Sequence, residues 1–419
     1  MGRAEVIERY LGGTDDIAFQ MFDGSTAGPA DAPARVRVTS PRALSYLATA
    51  RGDLGLARAF VTGDLEVDGD LHHALARLSR LDLDLPLQAR LRLLRELGGV
   101  KLLRRPPLPE QEVRRLRGRR HSKGRDQQAI AHHYDVSNKF YRYILGPSMA
   151  YTCAVYPTAD ATLEQAQWTK HDLVARKLAL RPGMRLLDVG CGWGGMVMHA
   201  AREYGVKALG VTLSAQQAAW AQRAIKEAGL ADLAEVRHLD YRDVAEGAFD
   251  AVSSIGLTEH IGKTQLPAYF SFLHGKLKPG GRLLNHCITR PDDSDPARPG
   301  DFINRYVFPD GELEGPGYLV SRMNDAGFEI RHEENLREHY ALTLAGWCAN
   351  LDAHWDEAVA EVGAGTARVW RLYMAGSRLG FERNVVALHQ ILGVKLGADA
   401  NSGMPLRPDW ERAPAPVAG

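Results

Sequence analysis

The sequence predicts an α/β fold: a doubly wound parallel sheet joined to a smaller, mixed N-terminal accessory domain. From about residue 180, short apolar runs alternate with helical stretches. The strand candidates are Arg185–Val189, Ala208–Val211, Ala234–Leu239, Phe249–Ile255 and Arg282–Ile288. Helical intervals fill the gaps between the first four, and a helix near Gln265–Leu277 leads into the fifth. Strands separated by helices are laid side by side in one direction, because each helix carries the chain back along a face of the sheet. The second observation is a glycine-rich turn, Gly190 to Gly195, that ends the first of these strands and opens a helix. The third is size: 419 residues, 45% of them hydrophobic, are enough for one large core and a smaller one.

Residues 1–100 read as the accessory domain. A β-like segment, Arg35–Thr39, follows a loop rich in Gly, Ala and Pro, and helical patterns occupy Ala43–Ala50 and Leu71–Leu78. Gly63-Asp64 and Asp68-Gly69 mark turns between them, and no catalytic motif is present. Residues 101–127 read as a basic linker. Lys101, Arg104, Arg105, Arg114, Arg115, Arg117, Arg119, Arg120, Lys123 and Arg125 are interrupted only by the acids Glu110 and Glu112, while Pro106, Pro107 and Pro109 break any helix. The preceding stretch, Leu87–Leu103, has the pattern of a basic amphipathic helix. Two readings stay open here, a solvated linker and a contact with an anionic bilayer, to which each basic residue would contribute about 1 kcal/mol. Residues 128–400 form the main domain, and 401–419 a flexible tail.

The formal net charge of +1 implies no global electrostatic steering. No nucleic-acid motif accompanies the basic run, so nucleic acid is not an expected partner. Cys153, Cys191, Cys287 and Cys348 lie far apart, in neither a zinc-ligand nor a disulfide pattern, which fits reduced thiols in the cytoplasm. The N-terminus lacks the apolar core of a signal peptide, and no apolar run reaches the roughly 18 residues of a membrane span. A soluble, cytoplasmic chain able to sit on a membrane surface is expected.

Gly190, Gly192 and Gly195 fit G-x-G-x-x-G, a pattern shared with dinucleotide-binding folds. Asp188, just before the turn, suits an ammonium-bearing ligand. The second strand runs out at Val211-Thr212 rather than at the Asp or Glu that would hold the ribose of a dinucleotide, which argues against a dinucleotide-dependent oxidoreductase. Gln217, one turn into the next helix, can supply the ribose hydrogen bonds instead. Tyr241, after the third strand, can cover an adenine face, or simply pack.

Further segments carry a resemblance. They are His133-Tyr134-Asp135-Val136-Ser137-Asn138, Tyr151-Thr152-Cys153-Ala154, Val211 to Gln217, Thr258-Glu259-His260, His286-Cys287-Ile288-Thr289, Phe308-Pro309-Asp310-Gly311 and His339 to Leu344. In this order the chain resembles the cyclopropane-fatty-acyl-phospholipid synthases and mycolic acid methyltransferases over roughly residues 128–395. The stretches Val369–Leu396 and His286–Pro291 look most like the actinobacterial branch that makes 10-methylene and 10-methyl stearic (tuberculostearic) chains.

The resemblance implies a class I methyltransferase sheet and S-adenosyl-L-methionine (SAM) as cofactor. Tyr151, Thr152, Asp188, Gly190, Gly192, Thr212, Gln217, Tyr241 and Ile255 fall at its SAM-contacting positions. It also implies a bicarbonate ion, anchored by the backbones of Cys153 and Ile288 and by the side chains of Glu259, His286 and Tyr340. Thr152 replaces a commoner Ser and keeps the hydroxyl. The expected substrate is an unsaturated acyl chain of a membrane phospholipid, methylated at the double bond to a 10-methylene branch. The enzyme would then be peripheral to the inner membrane face, with a homo-oligomer and a downstream reductase left open. A cyclopropane product uses the same base and cofactor and is the alternative. Remoter readings are a small-molecule O- or N-methyltransferase on the same fold and a non-catalytic SAM- or lipid-binding module.

Overall fold

In a computed structural model the described residues are 2–11, 16–50, 52–80, 87–113, 123–125, 137–294, 300–309 and 311–410. They form two units. The smaller comprises Met1–Arg115, Pro299–Pro309 and Leu351–Gly380. Its sheet contains β1 (Ile17–Met21), β2 (Thr26–Ala27), β3 (Ala34–Val38) and β4 (Leu65–Gly69), in the order β2-β1-β3-β4. The alternation of Val36 and Val38 with Arg35 and Arg37 sends one face of β3 into the core and the other outward. Helix Pro41–Thr49 starts where Ser40 accepts a hydrogen bond from the Arg42 N–H, at 3.2 Å, with Pro41 at its first position.

The expected linker is not one over its first part. Tyr46 Oη donates to the Pro107 carbonyl, at 2.5 Å, and Leu102 is buried. Glu112 is buried and accepts from Arg58 Nε (2.8 Å) and Nη2 (2.7 Å), Arg305 Nη1 (3.0 Å) and Tyr306 Oη (3.1 Å). A carboxylate so enclosed must be fully hydrogen-bonded, and this ties residues 101–113 into the smaller unit. Arg368 Nη2 donates to Glu66 at 2.9 Å, consistent with the membership of 351–380 in this unit rather than in an unbroken 128–400 domain. The expected helix Leu87–Leu103 is likewise two pieces, an α-helix Leu87–Leu97 and a 3₁₀ turn Gly99–Leu103, divided where Gly99 takes φ +66°. Of the basic run, 114–120 lie outside the described residues, and Lys123 pairs with Asp243 at 2.6 Å.

The larger unit comprises Leu116–Arg298, Asp310–Asn350 and Phe381–Gly419. Its strands are β5 (Arg185–Val189), β6 (Lys207–Thr212), β7 (Ala234–His238), β8 (Phe249–Ile255), β9 (Leu277–Thr289), β10 (Phe328–Asn335) and β11 (Ala387–Lys395). They form one seven-stranded sheet in the order β10-β11-β9-β8-β5-β6-β7. The predicted strands are β5 to β9, and they pair in parallel. The sequence reading missed β11, which adds antiparallel to β9, and β10, which adds antiparallel to β11. Helices Leu163–Lys177 and Gly195–Tyr204 contribute to one apolar core cluster, and Leu266–Lys276 and Pro316–Asp325 to a second. Strand order reverses at β5, between β8 and β6, and ligands of open α/β sheets bind beyond such a point. The tail is not free as far as residue 410: Arg282 Nη2 donates to the Gly403 carbonyl at 3.1 Å, and the Trp410 ring lies 5.5 Å from that of His332. Residues 411–419 lie outside the described ones. Among the described residues no helix is long and apolar enough to cross a membrane.

The Glu112 network sets a stability expectation. Burial by itself would raise its carboxyl pKa, but the Arg58 hydrogen bonds and charge, with Arg305 and Tyr306, hold it below the usual 4.5. A depressed carboxyl stabilises the fold above the unfolded-state pKa and loses that contribution as pH falls. Glu112→Gln should therefore lower stability by about 3 kcal/mol at pH 7. In denaturant titrations the gap to wild type should shrink as pH falls below about 4.5.

Candidate active site

The glycine turn is built from both neighbouring strands. The amides of Gly190 and Cys191 donate to the Val211 carbonyl at 2.9 and 3.0 Å, which folds the chain sharply over the end of β6. Gly192 follows with φ +54°, and a Cβ placed there would meet nothing within 4 Å. The turn thus leaves open space where a ligand can approach bare backbone, ahead of helix Gly195–Tyr204.

One cleft collects all the sequence-derived cofactor candidates: Tyr151, Thr152, Asp188, Gly190, Gly192, Thr212, Gln217, Tyr241 and Ile255. Thr212 Oγ1 donates to Gln217 Oε1 at 2.8 Å, so the strand end and the helix residue are coupled and buried. Ser214 caps helix Ala215–Glu227 by accepting from the Gln217 N–H at 3.3 Å, which places that side chain at the cleft. Tyr241 packs edge-on to Tyr269 and Phe272, 5.2 and 5.5 Å between ring centres. Tyr151 lies among the rings of Tyr141 and Trp347, at 5.9 and 5.3 Å. Asp188 is 2% exposed and accepts from Ser253 Oγ at 2.6 Å. Burial pushes its carboxyl up to about 7, against the opposing pull of Ser253 and the Lys170 charge.

The catalytic candidates fall into three groups of contacts. Glu259 Oε1 accepts from the Ile288 N–H at 2.7 Å, and the two residues line a small second pocket with Lys263, Glu312 and Glu314. His286 Nδ1 meets Gln390 Nε2 at 3.1 Å, and its carbonyl accepts from the Gly256 N–H, next to Ile255 in the cleft wall. Cys153 and Tyr340 converge on Leu336, whose carbonyl accepts from Cys153 Sγ at 3.8 Å and from the Tyr340 N–H at 3.2 Å. The Tyr340 ring packs 4.4 Å from Phe381 and edge-on to Trp347 at 6.0 Å. Helix Arg337–Ala353 also holds the Cys153 segment: Thr343 Oγ1 accepts from the Ala154 N–H and His339 Nδ1 from the Tyr156 N–H, both at 3.0 Å.

Burial sets the charges here. It pushes Glu259 up to about 7, opposed by the Ile288 hydrogen bond. It keeps His286 neutral, with Lys170 and Lys177 adding to the effect. Glu259 Oε2 and His286 Nε2 are both buried and have no hydrogen-bond partner among the described residues. Burial also raises the Cys153 and Cys191 thiols, so neither is a thiolate nucleophile near neutrality.

Sequence reading missed Lys170 and His171, which line the same cleft. Both lie on helix Leu163–Lys177, where Gln167, Lys170, His171, Asp172 and Lys177 are buried. Its lack of an apolar stripe was the available signal, because a helix that buries polar side chains loses the usual periodicity.

The family model described as mycolic acid cyclopropane synthetase matches residues 121–391. The chain belongs to this family. It is 53% identical over 422 aligned residues to a probable fatty acid methyltransferase of Mycobacterium tuberculosis, spanning 98% of this chain and 99% of the relative. A probable fatty acid methyltransferase of Pseudomonas putida is 41% identical, over 85% of each chain. Among solved structures, a mycolic acid cyclopropane synthase in complex with SAH and CTAB superposes with a TM-score of 0.61 at 32% identity, covering 64% of this chain and 98% of that one. The chain is a SAM-dependent methyltransferase of the fatty acid methyltransferase and cyclopropane synthase family. The cleft fits that cofactor: open space at Gly192, a buried carboxylate at Asp188, and a polar pair at Thr212 and Gln217.

A side chain at Gly192 would enter the open space and strain a left-handed backbone. Gly192→Val should weaken SAM binding at least about 100-fold in calorimetric titration and lower stability by only about 1 kcal/mol. Unchanged affinity would place the cofactor elsewhere.

Proposed function

We propose that this enzyme methylates the double bond of an unsaturated, oleoyl-type acyl chain in a membrane phospholipid, giving a 10-methylene-branched chain. The observation that carries the reading is the pair of orphaned buried polar atoms, Glu259 Oε2 and His286 Nε2. Such atoms are stable in a closed site when a small polar guest takes their hydrogen bonds, and bicarbonate fits their chemistry. Together with Tyr340 they would hold it. Bound SAM supplies the electrophilic methyl group, and bound bicarbonate a proton acceptor.

The chain's own residues meet three demands. An alkene is a weak nucleophile, so Tyr151, Thr152 and Asp188 must hold the sulfonium compound in a fixed pose. As the alkene forms its bond to the methyl carbon, the sulfur–carbon bond breaks and a carbocation is left on the acyl chain. Water must be excluded from that cation, and the buried rings of Tyr340, Trp347 and Phe381 supply apolar, electron-rich walls. A hydride shift onto the cationic carbon followed by proton loss from the new methyl gives the exocyclic methylene. Proton loss with ring closure gives cyclopropane instead. The likeness of Val369–Leu396 and His286–Pro291 to the tuberculostearic branch favours the first course.

Support for a bilayer substrate comes from the smaller unit. Leu91, Val100 and Leu103 are 57%, 80% and 52% exposed beside Arg92, Arg95, Lys101, Arg104 and Arg105. These cations make no ion pair among the described residues. Apolar side chains flanked by free cations suit a peripheral contact with an anionic membrane face.

The test is incubation with SAM and oleoyl-phospholipid vesicles. Mass spectrometry should show acyl chains heavier by one CH2 unit, and NMR the signals of an exocyclic alkene. Cyclopropane signals would assign the other product, and methylation of soluble acceptors alone would overturn the lipid reading. Glu259→Gln, His286→Ala or Tyr340→Phe should each lower turnover about 100-fold or more. SAM affinity should stay within about 2-fold, and double variants should be little worse than the poorer single.

A further inference from the structure

Helix Leu163–Lys177 begins with a capping box, in which Thr162 and Gln165 satisfy one another's backbone amides, and runs behind the cofactor cleft. It sends two polar side chains to the Tyr151–Cys153 segment. Gln167 Nε2 donates to the Thr152 carbonyl at 2.9 Å, and Lys170 Nζ donates to Thr152 Oγ1 at 2.8 Å. Lys170 is 1% exposed and lines the cleft. Among the described residues its ammonium makes that single hydrogen bond and pairs with no carboxylate. An ammonium has three donors, so two are unfilled. Burying a cation in that condition is costly, and the cost is offset only when an anion arrives.

Across the same cleft, Asp188 is also buried, and among the described residues the only side-chain hydrogen bond to its carboxylate comes from Ser253. Burial drives both groups toward neutrality, Lys170 down to about 7 and Asp188 up to about 7. Two buried groups of opposite sign that face one cleft without pairing match a zwitterion, and the amino-acid end of SAM is one. Asp188 suits its ammonium. We propose that Lys170, with the Thr152 hydroxyl beside it, binds the α-carboxylate of SAM. The Thr152 oxygen accepts from Lys170, which leaves the hydroxyl proton free to donate to the same carboxylate. Holding the loop in place would not by itself call for a cation, since Gln167 already ties the Thr152 backbone to the same helix with an uncharged amide. The preserved hydroxyl at position 152, where a Ser is commoner, is explained on the same ground.

The experiment separates the carboxylate from the rest of the ligand. SAM and decarboxylated SAM share the adenosine, the sulfonium and the ammonium and differ in this one group. Isothermal titration of the full chain should show that wild type binds SAM about 50-fold more tightly than decarboxylated SAM. Lys170→Met should lose most of its affinity for SAM while its affinity for decarboxylated SAM changes by less than about 3-fold, so the preference nearly disappears. Thr152→Val should reduce the preference by a smaller factor. If Lys170→Met fails to fold by circular dichroism, Lys170→Gln takes its place, because an amide can keep the contact with Thr152 without the charge. Equal losses for both ligands would show that Lys170 only shapes the loop, and a wild type without preference would show that nothing in the cleft reads the carboxylate. Either result overturns the proposal.

Discussion

Exclusion of water from one edge of the sheet is the constraint on which the rest of the larger unit depends. Asp188, Lys170, Glu259 and His286 are all polar or ionisable, and burial shifts each of them toward its neutral form. In water none of these groups would have an altered charge, and their hydrogen bonds would be worth little. Enclosed, each becomes a strong and selective contact for whatever completes it. An alkene methylation needs the same enclosure, because the cation it generates would be captured by water.

The enclosure is made by elements distant in the chain. Residues 151–156 are fastened on two sides: Gln167 and Lys170 hold Thr152 from one helix, while His339 and Thr343 hold Ala154 and Tyr156 from another. Tyr151 adds its ring to an aromatic group with Tyr141 and Trp347. The His339–Leu344 motif therefore has a structural task besides Tyr340, since two of its side chains accept backbone N–H groups that would otherwise be buried without partners. Three motifs far apart in sequence, Tyr151-Thr152, Gly190 to Gly195 and Val211 to Gln217, contribute residues to one cleft.

The smaller unit uses buried charge for another purpose. Glu112 is satisfied from several directions by Arg58, Arg305 and Tyr306, so nothing is left over for a ligand. Glu259 has one oxygen bonded and one orphaned. That difference, complete against incomplete hydrogen bonding, separates a carboxylate that holds a fold together from one suited to chemistry.

Much of the fold was legible in the sequence. The alternation of apolar runs and helices located β5 to β9 to within a few residues, except that β9 begins earlier, at Leu277. The Gly190–Gly195 turn announced a ligand-binding edge, since few other uses need so many glycines between a strand and a helix. The ordered motifs identified the family, and the cofactor candidates among them line one cleft. Strands β10 and β11 were not legible: β11 is buried along almost its whole length, so it lacks the two-residue alternation of a half-exposed strand. Nor was the role of residues 101–113, whose charge pattern reads as solvated until the Arg58 and Arg305 partners of Glu112 are known. Lys170 was hidden for the same reason. A lysine on a helix is ordinarily solvated, and only the packing of that helix against Thr152 and the cleft turns it inward. The sequence by itself determined which chemistry the chain carries, because local spacing and residue type are properties of the chain. Tertiary structure alone decided which of its charges are deprived of water, because burial is a property of how distant segments meet.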